Sequence, residues 1–152
     1  MSNIVFSSVS ESPEVQGIVA QWLWSFWGNT RNYEFYRSLV AHCKADDIPM
    51  MYVAYHDGMP VGTVALLRAD LFSRQDLFPW MADLYVLPEY RSKGIGSALQ
   101  DFVLKKAKEL GYGTIYLYTP LTGYYEKKGW EYMGNEMERD GEIVRIYKKK
   151  IV

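Results

Sequence analysis

Asp83-Leu84-Tyr85-Val86-Leu87-Pro88-Glu89-Tyr90-Arg91-Ser92-Lys93-Gly94-Ile95-Gly96-Ser97-Ala98-Leu99 is the stretch on which the fold turns. Trp80 to Leu87 reads as a strand, and Pro88-Glu89-Tyr90 stops it. Beyond the loop, Ile95, Leu99, Phe102, Val103, Ala107 and Leu110 recur at spacings of three and four until Gly111, which predicts a helix. A strand therefore feeds a glycine loop that opens a helix. Gly94 and Gly96 leave room for a ligand against the backbone, and the unpaired N–H groups of a helix start carry partial positive charge. Arg91 and Lys93 add full charges, so the loop suits a phosphate or pyrophosphate; a plain tight turn is the bland alternative, and a glycine pair alone does not separate the two.

Outward from this stretch the chain is evenly punctuated. Ile4 to Val9 reads as a strand, and Ser12-Pro13 opens a helix that reaches about Trp27. Asn32 to about Lys44 reads as a second helix. Met50 to Tyr55 and Val61 to Leu67 form an antiparallel hairpin around Asp57-Gly58. Asp70 to Pro79 is irregular. Thr114 to Tyr118 is a strand, Thr119-Pro120 caps a short helix through about Lys128, and Trp130 to Glu138 with Ile143 to Lys149 make a last hairpin at Asp140-Gly141. This order predicts a single α/β (α+β) domain over residues 1–152, with a mixed, mostly antiparallel central sheet flanked by helices.

Two phosphate loops of other kinds are excluded. A dinucleotide fingerprint needs a third glycine where Leu99 stands and an acidic residue after the next strand, and neither is present. A nicotinamide-dependent oxidoreductase thus rests only on Gly94-Ile95-Gly96. The Walker pattern needs Gly-Lys followed by Ser or Thr, which occurs nowhere.

The stretch resembles motif A of the Gcn5-related N-acetyltransferases (GNAT): a strand, a Val-x-Pro-x-x-Arg link and an (Arg/Gln)-x-x-Gly-x-(Gly/Ala) loop. About thirty residues on, Tyr124-Tyr125-Glu126-Lys127-Lys128-Gly129-Trp130 resembles the end of the family's motif B. Specific motifs lie between Trp80 and Gly134; the first 79 residues agree in element pattern only.

The resemblance implies acetyl-CoA as co-substrate and no metal. Backbone N–H groups from Ser92, Lys93, Gly94, Ile95, Gly96 and Ser97, with Arg91, would hold the pyrophosphate. The exposed backbone of Leu84, Tyr85 and Val86 would pair with the pantetheine arm, and an N–H near Tyr85 or Val86 would meet the acyl oxygen. Tyr125 stands where many members keep the acid that protonates the departing thiolate; spacing alone would read it as an aromatic packed in the core. Its neighbour Tyr124 points about 100° away on a helix, so only one can serve. The family's Asn seven residues earlier is replaced here by Tyr118.

On the acceptor side, Asp83 is the nearest acid able to take a proton from a substrate ammonium, with an ordinary paired carboxylate as the alternative. Asp70, Asp76 and Asp83 together would favour a cationic amine, with a solvated acidic loop as the alternative reading. Trp22, Trp24, Trp27, Tyr33 and Tyr36 make an aromatic-rich pair of first helices, read as core packing with a subset able to shape the acceptor pocket.

Composition bounds the rest. The 152 residues carry 17 Lys+Arg against 18 Asp+Glu, which argues against a nucleic-acid partner or a polybasic membrane binder. Met1 to Tyr90 holds 5 basic against 10 acidic residues and Arg91 to Val152 holds 12 against 8, a division that two ligands of opposite charge would fit and that ordinary surface charge also explains. The single cysteine, Cys43, excludes an intrachain disulfide, and with no signal-type segment a cytoplasmic location is expected. Only His42 and His56 are present, and no metal-hydrolase or serine-triad motif occurs. The expected function is transfer of an acetyl group from acetyl-CoA to a small, cationic amine by direct attack. A non-catalytic acyl-CoA-binding sensor or interaction module is the alternative, and a homodimer is common in the resembled family.

Overall fold

A computed structural model describes residues 3–152. Its seven strands are β1 (Ile4–Ser8), β2 (Met50–His56), β3 (Met59–Leu67), β4 (Trp80–Val86), β5 (Thr114–Thr119), β6 (Glu131–Met137) and β7 (Ile143–Lys150). They form one sheet in the order β1-β2-β3-β4-β5-β7-β6. Every neighbouring pair is antiparallel except β4 and β5. The mixed, mostly antiparallel sheet is the one the element order implied.

Three helices cover its two faces: α1 (Pro13–Trp27), α2 (Tyr33–Ala41) and α3 (Ile95–Glu109). Pro13 supplies the first residue of α1, where its missing N–H costs nothing. The apolar stripe of α3 buries Ile95, Leu99, Val103 and Ala107 against Val61, Val64, Leu66, Met81, Ile115 and Leu117. On the other face, Val15, Val19, Leu23, Tyr36 and Val40 of α1 and α2 pack on Met51, Val53, Ala65 and Ala82. Further along that face, Leu71 and Leu77 cover Trp80, Val144 and Ile146, with Tyr116 and Tyr118 alongside. At Gly62 an added Cβ would lie 2.9 Å from the Tyr85 carbonyl oxygen and 3.1 Å from Leu99 Cδ1, so β3, β4 and α3 pack too closely there for any side chain.

One element departs from expectation. Thr119 to Lys128 is not a helix; only a 3-10 turn at Glu126–Lys128 forms. Thr119 Oγ1 accepts a hydrogen bond from the Leu121 N–H at 3.1 Å, which closes a tight turn, and Gly123 takes φ +83°. A left-handed residue interrupts right-handed winding, so the segment crosses as a loop and coils only at its end.

Candidate functional site

The site begins with a fault in the sheet. In β4 the register places Ala82 opposite Ala65 and Tyr85 opposite Thr63, so Asp83 and Leu84 together face the single residue Val64. Asp83 adopts φ +54°, a left-handed conformation that Asp tolerates better than most residues. Such a bulge re-aims side chains. Leu84 and Val86 pack toward α3, whereas Tyr85 lies toward α1, with its ring 5.8 Å from that of Trp22 and 5.6 Å from that of Phe26. Ala82 packs with α1 and α2, and the Asp83 charge raises the Tyr36 phenol and the Cys43 thiol, each raised first by its own burial.

The bulge sits where β4 and β5 part. These parallel strands are in register only at Trp80 and Tyr116. Beyond that point the β4 groups turned away from β3 have no strand partner. The Leu87 N–H donates to the Val61 carbonyl at 2.9 Å, so strand alternation turns the groups of Val86 and Leu84 toward the gap and those of Tyr85 toward β3. Tyr85 therefore borders the site through its ring.

On the α3 side of the gap, the loop after β4 supplies donors. Ser92 has φ +62° and Gly94 φ +84°, and alternating left-handed residues turn consecutive N–H groups into a concave surface. Gly94 is the N-cap of α3 and gives no side-chain cap, the first turn contains no acid, and Lys106 and Lys108 complement the far end. The helix start is thus left open to an anion. Gly96 needs no unusual φ, and a Cβ there would meet nothing nearer than Val86 Cγ2 at 3.9 Å. The fold itself does not require glycine at 96; a ligand lying against the backbone would.

The charges around this loop differ from the expected set. Arg91 is partly committed: its Nε donates to the Val86 carbonyl at 2.8 Å and its guanidinium lies 5.5 Å from the Tyr85 ring centre. Lys93 stands 5.5 Å from the Tyr90 ring centre. Lys128, which the sequence did not single out, donates from Nζ to Ser97 Oγ at 2.6 Å and adds an ammonium directly at the α3 N-terminus. Its signal lay only in the turn that ends at Gly129.

Tyr125 lies on this same side. Its ring packs among Trp130 and Tyr147, with centroids 6.1 and 6.0 Å away, and against Tyr124 at 4.8 Å. Burial, helped by Tyr124, pushes its phenol up to about 12, so it stays protonated at neutral pH. Tyr124 is the more exposed of the two, at 42 %.

The α1 and α2 side is acidic. Asp83 Oδ2 is sealed from solvent and has no hydrogen-bond partner. Burial raises the Asp83 carboxyl to about 7. Asp70 is raised as well, first by burial and then by the charges of Asp83 and Glu138. Glu138, just past β6, accepts a hydrogen bond from the Tyr118 hydroxyl at 2.7 Å. The sequence brought forward Asp70 and Asp83 but missed Glu138, Tyr118 as a polar group, and the polar end of Tyr36. Asp76 does not join them; it pairs with Arg74 at 3.0 Å on the surface. Among the described residues no group of three or more His, Cys, Asp or Glu is placed to hold one metal ion, and no helix is long and apolar enough to cross a membrane.

With this geometry established, comparison with known proteins is informative. No curated protein sequence matches the chain. Among solved structures, an aminoglycoside 6'-N-acetyltransferase complexed with coenzyme A superposes with a TM-score of 0.74 at 16 % identity, over 97 % of each chain. A GNAT-family acetyltransferase from Staphylococcus aureus Mu50 gives 0.73 at 19 % identity, over 98 % of this chain and 99 % of that one. N-acetylglutamate synthase from Neisseria gonorrhoeae, complexed with coenzyme A and N-acetyl-glutamate, gives 0.71 at 17 % identity, covering all of this chain but 36 % of that one. At such identities these likenesses establish the fold. The profile of the Acetyltransferase (GNAT) family matches residues 18–130, a span that takes in the β4 bulge, the glycine loop and the Tyr125 turn. The chain therefore belongs to the GNAT family of acetyltransferases, whose acyl donor is acetyl-CoA.

Proposed function

We propose that this protein, acting as one domain over residues 1–152, transfers the acetyl group of acetyl-CoA to an amine of a small, cationic acceptor. The observation that carries the proposal is the gap between β4 and β5, which has an anion-ready loop and a neutral phenol on one side and an unpaired carboxylate on the other. A single thiol, Cys43, is in keeping with a reducing cytoplasm.

The residues present suit the donor. The N–H groups from Ser92 to Ser97, the open start of α3, Lys93, Lys128 and the uncommitted part of Arg91 would hold the pyrophosphate, and Gly96 leaves the backbone uncovered for it. The gap-facing N–H groups of Leu84 and Val86 and the Leu84 carbonyl would pair with the pantetheine amides as an added strand would, the Val86 carbonyl already accepting from Arg91 Nε. When bound, acetyl-CoA supplies an acetyl group already activated as a thioester.

The chain then positions, polarises and moves protons. A Leu84 or Val86 N–H donates to the acyl oxygen where negative charge develops, and needs no reorganisation to do so. Asp83, with a carboxyl near neutrality, accepts a proton from the ammonium of the acceptor, directly or through water. Tyr125 delivers its proton to the departing sulfur and is restored from solvent. The two residues work on opposite faces of the sheet, so the proton taken and the proton given do not compete for one group.

The test is thermal unfolding with acetyl-CoA, CoA and NAD in parallel, followed by thiol release with a panel of amines. A ligand at about 100 times its dissociation constant adds roughly 2.7 kcal/mol to the folded state. A shift with both CoA species and none with NAD, together with amine-dependent thiol release, is the expected result. No CoA shift refutes the donor assignment; a CoA shift with no thiol release for any amine leaves an acyl-CoA-binding module.

A further inference from the structure

The turn that carries Tyr125 is too short to hold its own place. Its 3-10 coil spans three residues, Glu126–Lys128, and a left-handed Gly129 at φ +87° closes it. So short a coil has little of the cooperative hydrogen bonding that keeps a long helix in shape. Contacts from outside the turn have to fix it against the sheet.

Those contacts come from β7. Arg145 and Tyr147 are two residues apart on that strand and so share a face. Arg145 Nε donates to the Tyr147 hydroxyl oxygen at 2.8 Å, and that hydroxyl donates to Glu126 Oε2 at 2.8 Å. Arg145 Nη2 reaches the same carboxylate oxygen at 3.3 Å, which closes a ring of three side chains. From β6, the Tyr132 ring braces the guanidinium, with its centre 3.9 Å away. Tyr147 is fully buried, so its hydroxyl would lose an acceptor that water does not replace if Glu126 moved away.

Tyr125 is gripped from both sides by this arrangement. Its carbonyl accepts from the Lys128 N–H at 3.0 Å and from the Trp130 N–H at 3.1 Å, and its ring lies 6.0 Å from that of Tyr147. Tyr147 therefore meets Tyr125 through its ring and the next residue through its hydroxyl. The sheet itself does not call for these polar groups, since β7 is already paired on both edges, with β5 and with β6.

We propose that Glu126, Tyr147 and Arg145 are positioning residues for Tyr125: they lock the turn so that its phenol stays within reach of the sulfur of the donor, and touch neither substrate themselves. This deepens the acetyltransferase reading and rests on Tyr125 as the acid. A general acid works only within hydrogen-bond reach of the atom it protonates, and a small displacement of such a group costs far more in chemistry than in binding.

The experiment titrates the thiol of CoA bound to the full chain, followed by the ultraviolet difference absorbance of the thiolate, so no acceptor is needed. A phenol that donates to the sulfur stabilises the thiolate and lowers the midpoint. Tyr125→Phe should raise that midpoint by about one pH unit, and Tyr147→Phe and Glu126→Ala should each recover a large part of the same rise. In the Tyr125→Phe background, Tyr147→Phe should add nothing. Glu126→Gln, whose amide oxygen still accepts from the Tyr147 hydroxyl, should stay close to the wild type. CoA affinity at pH 7 should change little in any of them by calorimetry. The inference is overturned if Tyr147→Phe and Glu126→Ala leave the midpoint where it is while Tyr125→Phe moves it, or if Tyr147→Phe moves it equally with and without the Tyr125 hydroxyl. Glu126 lies on the surface, so Glu126→Ala gives an answer even if Tyr147→Phe folds poorly. A midpoint unmoved by Tyr125→Phe would instead sink the acid assignment, and the positioning role with it.

Discussion

The two sides of the β4–β5 gap are built by different means. On the α3 side the site is contiguous: strand, glycine loop and helix start follow one another from Trp80 to Ser97, and most of the donors are backbone groups. On the α1 and α2 side the polar groups come from separate elements: the Tyr118 hydroxyl donates to Glu138 at 2.7 Å, and the charges of Asp70 and Asp83 bear on Tyr118 and Tyr36. Backbone recognition tolerates almost any side chain that leaves room, and so needs glycine and a helix terminus. Recognition by charge needs particular side chains but fixes nothing about where in the chain they arise.

The sharpest way to break the comparison is Gly96→Glu, which fills the open backbone and opposes an anion. It should abolish the thermal shift with acetyl-CoA and leave the ligand-free melting temperature close to that of the wild type, since nothing in the fold lies within 3.9 Å of the new Cβ. A large loss of stability without ligand would mean that the glycine serves packing.

Tyr125→Phe keeps the ring packing and removes only the proton. Turnover should fall by about 10²- to 10⁴-fold, the usual range for a lost general acid, with acetyl-CoA affinity unchanged by calorimetry. Equal losses in both would reduce Tyr125 to a packing residue.

Asp83→Asn probes the other side. In the wild type kcat/KM should rise with pH through about 7, as the raised carboxyl ionises. In the variant that limb should vanish, leaving only the rise set by the amine itself, near pH 10 for an ordinary alkylammonium.

Stability should run the opposite way from activity. Asp83 titrates at about 7 when folded against an ordinary value of 3.8, so between these values the folded state holds a proton that the unfolded state has released. The contribution is complete below the unfolded value and is lost as pH rises through the folded one, at about 1.4 kcal/mol for each unit that the pKa is raised. Raising the pH from 5 to 8 should therefore lower the melting temperature of the wild type more than that of Asp83→Asn. Asp70, raised in the same direction, adds to the slope in both proteins.

The smallest effect expected is that of Gly94→Ala. A Cβ at φ +84° meets no neighbour but is strained, at a cost of about 1–2 kcal/mol by chemical unfolding, with cofactor binding weakened only as far as the loop is displaced. Gly94 and Gly96, two residues apart, would then separate as a conformational glycine and a ligand glycine.

Much of the donor side could be read directly. The strand, the loop and α3 announce themselves through local spacing and form where it put them, whereas Tyr125 stood out only through the family motif that ends at Gly129. Lys128 was overlooked because its approach to Ser97 spans 31 residues and follows from the turn at Glu126–Lys128, which the sequence suggested would be a longer helix. Tyr85 was expected to offer its backbone, yet strand alternation turns those groups toward β3. Asp76 looked equivalent to Asp70 and Asp83 until Arg74, two residues away, was seen to hold it at the surface.

The hairpins, the three helices and the glycine loop were legible residue by residue, because each depends on periodicity or on a backbone preference within a few residues. Which charges act on one another was settled by the assembled sheet. The bulge at Asp83 arises from a register mismatch between β3 and β4, and the meeting of Glu138 with Tyr118 from the pairing of β6 with β7 and of β7 with β5. Electrostatic character depends on distance through space and on burial, and neither is a property of any residue until the whole sheet has formed.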